Sequence, residues 1–123
     1  MSDLEMVPAV TFAVMRRTSN GELVFTVARA PEIIEACSSS GIAVLGIEVF
    51  PRLNVSTYDL HVKDPADEKH WPSYVKSNNA LAGDFLRRNP ASGTDECILT
   101  TASWREFCEI KRQEKESKEQ KPR

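Results

Sequence analysis

Gly41-Ile42-Ala43-Val44-Leu45-Gly46-Ile47-Glu48-Val49-Phe50-Pro51 is the densest apolar run in the chain, and one carboxylate, Glu48, interrupts it. A short run rich in Ile, Val and Phe and bounded by Gly and Pro reads as a strand buried on both faces. An unpaired charge in such a strand is costly, so Glu48 either finds a partner or sits at the strand's exit. Pro51 ends the pairing, because proline has no amide donor for a ladder.

Upstream of this strand the punctuation is that of a helix. Pro31 suits a first turn, Glu32 and Glu35 complement the positive end of the dipole, and Ile33, Ile34 and Cys37 make one apolar stripe. The serine run and Gly41 stop it, giving a helix-to-strand unit with a tight connection. Further upstream, residues 9–15 are rich in β-branched and aromatic side chains and read as a strand. Asn20-Gly21 then offers a turn and residues 23–27 a second strand, so an N-terminal hairpin is expected. The alternative is a helix, since residues 21–36 also space apolar groups at three and four.

Downstream, residues 55–62 alternate enough for a short strand, placed at 58–62. Asp64-Pro65-Ala66-Asp67-Glu68-Lys69-His70 reads as a loop. Ser73 or Ser77 can cap a helix that runs to Arg88, with Tyr74, Leu81, Phe85 and Leu86 as its apolar contacts and Asn89-Pro90 as its end. Residues 96–101 read as a strand, central or penultimate in the sheet. Ser103 with Glu106 is a capping-box pattern, after which Trp104, Phe107, Cys108 and Ile110 line a helical face. Beyond Ile110 that face vanishes, and residues 111–123 are expected to fray apart from pairs such as Glu114 with Lys118. The expected fold is therefore one α+β domain over residues 1–110, with a mixed or antiparallel sheet of four or five strands, about three helices and a charged tail.

A chain of 123 residues, 41% of them hydrophobic, is enough for one core. The uncharged window at residues 37–47 is far short of the roughly 20 residues that cross a bilayer. The first residues lack the basic and apolar regions of a secretory signal, so the cytoplasm is the expected compartment. Cys37, Cys97 and Cys108 are odd in number and widely spaced, as befits reduced thiols. His61 and His70 lie nine apart, which supports no metal site, and the dispersed glycines form no phosphate cradle, so no cofactor is expected.

Six basic residues face three acidic ones over residues 111–123, which leaves residues 1–110 with ten basic and fifteen acidic side chains. That acidic body disfavours nucleic acid, and serves either solubility or the attraction of a basic partner. Nucleophilic catalysis would need Cys37, Cys97 or Cys108 with His61 or His70, but the pattern has no local signature and the apolar-lying thiols read as inert. Glu48 and Asp59 form an acid-base pair only if adjacent strand exits bring them together. The strongest surface candidate is the cluster of Tyr58, Trp71 and Tyr74 with Asp59, Asp64, Asp67 and Glu68, because aromatics supply contact area and carboxylates steer a basic partner. Trp71 and Tyr74 can equally close the core where the loop enters the helix.

The run Gly41–Phe50, the pair Tyr58-Asp59 and the helix beginning Ser77-Asn78-Asn79-Ala80-Leu81 together resemble a family of small bacterial immunity proteins from polymorphic toxin and contact-dependent inhibition systems. In that family a helix leads into a strand ending Gly-Gly-Asp-Val-aromatic, a Tyr-Asp-x-Trp segment follows, and a helix and strand close an α+β fold. The likeness spans residues 31–107. Ile47 stands where the second glycine would be, Glu48 replaces the aspartate and His61 replaces the tryptophan. The resemblance implies a non-enzymatic protein that binds and blocks a toxin domain, with Glu48 and the pair Tyr58-Asp59 on one edge; joined to the acidic loop, the expected interface is Glu48, Tyr58, Asp59, His61, Asp64, Asp67, Glu68 and Trp71 against a basic toxin domain. The rivals from other classes are a small hydrolase or transferase using Glu48 or Asp59 with His61, and an adaptor that docks through its helical tail.

Overall fold

The run that follows Gly41 becomes a strand flanked on both edges in the computed structural model, which describes residues 3–50, 53–56, 63–89 and 95–120, with backbone alone at 53–56 and 118–120. In chain order the elements are α1 (Pro8–Ala13), β1 (Arg16–Arg17), β2 (Leu23–Thr26), α2 (Ala30–Ser39), β3 (Ala43–Phe50), β4 (Leu53–Ser56), α3 (Trp71–Arg88), β5 (Glu96–Ala102) and α4 (Trp104–Gln120). Short 3-10 turns at Asp3–Met6, Val27–Arg29 and Glu68–His70 precede α1, α2 and α3. The sheet order is β1-β2-β5-β3-β4, and every described pair is antiparallel. The fold is α+β, as expected, with β5 at the centre.

Because β5 runs against both of its neighbours, β2 and β3 are parallel with β5 inserted between them, and α2 is the crossover. The same logic sends α2 down and α3 back up, so the two helices pack antiparallel. One apolar layer lies between α1, α2, α3 and the sheet, built from residues such as Val10, Ile33, Cys37, Phe25, Ile47 and Leu99. A second cluster forms where the start of β3 and the end of β5 meet the first turns of α3 and α4: Ala43, Leu45, Ala102, Trp71, Tyr74, Val75 and Phe107.

Both clusters can draw on one strand because β3 carries a bulge. Val44 pairs with Thr101 and Gly46 with Thr100, so Leu45 is the extra residue. The insertion shifts the alternation by one, sending Val44, Ile47 and Val49 into the first cluster while Ala43 and Leu45 join the second.

Three local expectations differ from the structure. Residues 8–13 are helical, because Pro8 occupies a first turn and Val7, Val10 and Ala13 bury at threefold spacing. The hairpin survives in shortened form: Arg16 pairs with Val24 and Arg17 with Leu23 across the Asn20-Gly21 turn, with Gly21 at φ 85°. Next, α3 begins at Trp71, ahead of Ser73 and Ser77, since Pro72 needs no amide partner in a first turn. Finally, α4 continues to Gln120, laced by Arg112 to Glu109 and to Glu116 and by Lys111 to Glu114. The capping box is realised, with the Ser103 amide donating to Glu106 Oε1 at 2.9 Å and the Glu106 amide to Ser103 Oγ at 3.2 Å. The strand expected at 58–62 lies outside the described residues.

Candidate partner-binding surface

The entry to α3 is fixed from below by Trp71. Its ring is 5% exposed, its Nε1 donates to the Gly41 carbonyl at 2.7 Å, and it packs against Tyr74, Phe107 and Trp104 at centroid distances of 5.2, 5.2 and 5.5 Å. Trp71 thus closes the core and presents almost no area to a partner. Its contribution is to hold the turn before it in place.

That turn carries the exposed carboxylates. Asp67 caps the 3-10 turn Glu68–His70, with Oδ1 accepting from the His70 amide at 3.2 Å and lying 2.6 Å from His70 Nδ1. The hydrogen bond from the His70 side chain holds the Asp67 carboxyl below its ordinary value. Glu68 is exposed at the first position of the turn. Asp64 lies 2.9 Å from Lys111 Nζ on α4, and that ammonium sits 5.4 Å from the centre of the Phe107 ring. Burial pulls the Lys111 pKa down, but the hydrogen bonds and charges of Asp64 and Glu114 together outweigh it and leave it raised. The segment is thereby tied to both α3 and α4, with its carboxylates facing water.

Glu48 is elsewhere. It stands in mid-sheet between Asn54 of β4 and Ile98 of β5, half-buried. Seven steps along the chain separate it from Gly41, which Trp71 contacts, a distance of about 20 Å. The structure therefore brings Asp64, Asp67 and Glu68 together at the Trp71 end and leaves Glu48 apart from them. Tyr58, Asp59 and His61 lie outside the described residues.

Two of the three thiols are inert by burial, which pushes Cys37 up to about 12 and Cys97 up to about 11. Cys108, expected on the apolar face of α4, is exposed instead, because Phe107 takes the inward position beside it. Among the described residues no group of His, Cys, Asp and Glu is arranged to hold a metal ion, and no helix is long and apolar enough to cross a membrane.

The most distinctive polar feature was not singled out from the sequence. Asn78 and Asn79, both buried, reach from α3 to the bulged strand. Asn79 Oδ1 accepts from the Val44 amide at 2.8 Å, and its Nδ2 donates to the Ile42 carbonyl at 2.9 Å and to Ser38 Oγ at 3.0 Å. Asn78 Nδ2 donates to the Val44 carbonyl at 2.6 Å. These amides serve backbone groups that the displaced ladder leaves facing the helix. The signal was present, for Tyr74, Val75, Asn78, Asn79 and Ala82 fall on one helical stripe, and paired amides on a core stripe imply buried acceptors.

Compared with known proteins, the chain matches no family model, no curated protein and no solved structure.

Proposed function

We propose that this protein acts by stoichiometric binding, as an immunity protein that occludes a basic toxin domain, and that Asp64, Asp67 and Glu68 form part of the contact surface. The observation that carries this reading is the exposed acidic turn held in one conformation by the Trp71 anchor and the Asp67 cap. Carboxylates already fixed in place lose little conformational freedom when a guanidinium or ammonium meets them, so more of the contact energy appears as affinity. Lys63 and Lys69 flank the acids on either side, which suits the turn to fixing register. Long-range attraction comes from the acidic balance of residues 1–110 as a whole. Glu48 is too far along β3 to share this patch and plays no part in the proposal.

The test is co-expression with the domain that the neighbouring gene encodes. Growth protection together with a purified 1:1 complex is the expected result. A toxic neighbour that neither binds the protein nor is silenced by it would overturn the proposal.

A further inference from the structure

The sheet splits at one place. Between β2 and β5 only Phe25 pairs with Cys97 and Thr26 with Glu96, whereas Val24 and Leu23 pair with Arg16 and Arg17 of β1. The strands therefore part toward the hairpin tip and leave a cleft of about 660 Å³, lined by Glu5, Arg17, Glu22, Leu23, Leu99 and Thr101 among others.

The alternation of an antiparallel ladder fixes which main-chain groups face this cleft. The Val27 amide donates to the Asp95 carbonyl at 2.8 Å, so Asp95, and with it every second residue of β5, turns its N–H and C=O toward β2. That set continues through Cys97 to Leu99 and Thr101. Cys97 meets Phe25, but Leu99 and Thr101 have no strand opposite them on this side among the described residues. The β3 side agrees. Val44 lies opposite Thr101, yet its amide and carbonyl bond to Asn79 and Asn78, so the Thr101 main chain is turned away from β3 and into the cleft. The 3-10 turn Asp3–Met6 keeps the strands apart: Asp3 is bonded to Ser103 and Arg105 at the start of α4, Glu5 is bonded to Arg17 of β1, and Leu4 is buried in the same cluster as Leu23 and Leu99.

Unused strand donors and acceptors in a row are the chemistry that recognises another extended chain. We infer that the basic partner adds an extended segment to β5 along Leu99–Thr101, so that main-chain bonding in this cleft accompanies the contact at the acidic turn; the inference rests on the binding reading above. Two observations select that partner. Thr101 lies opposite Val44, and Gly41, which Trp71 holds, is three residues further along, so the cleft and the acidic turn sit at the same end of the sheet with about 15 Å between Thr101 and Gly41. A footprint of about 800 Å² on each partner spans both. The cleft lining also carries two carboxylates, Glu5 and Glu22, against one guanidinium, Arg17, which Glu5 already binds, and this balance favours a basic segment.

Residue-resolved amide exchange tests the inference, on the free protein and on its complex with the domain that the neighbouring gene encodes. In the free protein the Leu99 and Thr101 amides should exchange at least about tenfold faster than those of Ile98 and Thr100, which face β3, and in the complex they should slow by at least about tenfold. Thr101→Pro deletes a donor that the ladder to β3 does not use, so the sheet tolerates it, and it is expected to weaken the complex at least about tenfold. Thr101→Val keeps the amide and should bind as wild type does. A complex in which the wild-type Leu99 and Thr101 amides stay unprotected, or one that Thr101→Pro leaves as tight as before, overturns the inference while the binding reading stands. Failure of any complex to form overturns both.

Discussion

Replacing Asn79 with alanine tests whether the bulge in β3 depends on the amide beneath it. The substitution removes the acceptor for the Val44 amide and the donor to the Ile42 carbonyl, both buried main-chain contacts, together with the bond to Ser38 Oγ. Each buried backbone group so deprived costs about 1–3 kcal/mol, which puts the total at roughly 3–5 kcal/mol. A domain of this size has about 6–15 kcal/mol in all, so the loss is a large fraction. Asn78→Ala is the control on the neighbouring residue. It forfeits the 2.6 Å bond to the Val44 carbonyl but also removes an Oδ1 that has no partner among the described residues, so about 1–2 kcal/mol is expected. In urea titrations with a slope near 2 kcal/mol/M, the midpoint falls by about 2 M for Asn79→Ala and by less than about 1 M for Asn78→Ala, with the slope unchanged. Equal shifts for the two variants, or a cost below about 1 kcal/mol at Asn79, would refute the assignment of the bulge to this amide.

Other outcomes follow from particular contacts. Trp71→Phe keeps most of the ring packing but loses the bond to the Gly41 carbonyl, so it costs about 1–2 kcal/mol in the same titration, less than the roughly 3–5 kcal/mol of Trp71→Ala. With a disulfide reagent at neutral pH the native protein exposes Cys108 to rapid modification, while Cys37 and Cys97 react only on unfolding; three fast thiols would contradict their burial. Hydrogen bonds to Ser103 for Asp3, to His70 for Asp67 and to Arg16 for Glu96 hold these carboxyls below their ordinary values. A folded-state pKa depressed in this way contributes stability that is present above the unfolded value near 4 and lost as pH falls through the folded one. The melting temperature should therefore be flat above about pH 5 and decline below about pH 4, and Asp3→Asn should lessen the decline.

The parts of the fold that were legible are those where a single residue has one conformational meaning. Pro31 opening α2, Asn20-Gly21 turning the hairpin and the Ser103–Glu106 box opening α4 each act through a local backbone preference, and each stands where the sequence placed it. Residues 9–15 were misjudged because six residues of Val, Thr, Phe and Ala fit either period, and burial of Val10 and Ala13 against α2 decides for the helix. Serine capping points to a start of α3 at Ser73 or Ser77, whereas Pro72 is at home in a first turn and lets the helix open at Trp71. The bulge at Leu45 has no local signature, since it exists only relative to β5, and the roles of Asn78 and Asn79 depend on it. The same limit applied to the candidate surface. Sequence proximity kept Asp64, Asp67 and Glu68 together, but the separation of Glu48 from them follows from where Trp71 meets the sheet.

The central claim is that the acidic turn before α3 meets a basic partner. Its most direct test is the association rate with the toxin domain proposed as the partner, measured across ionic strength for wild type and for the combined Asp64→Asn, Asp67→Asn, Glu68→Gln variant. The account predicts association about tenfold slower for the variant at low salt, converging with wild type near 0.5 M salt as the charges are screened. Identical rates at every ionic strength, with protection intact, would contradict it.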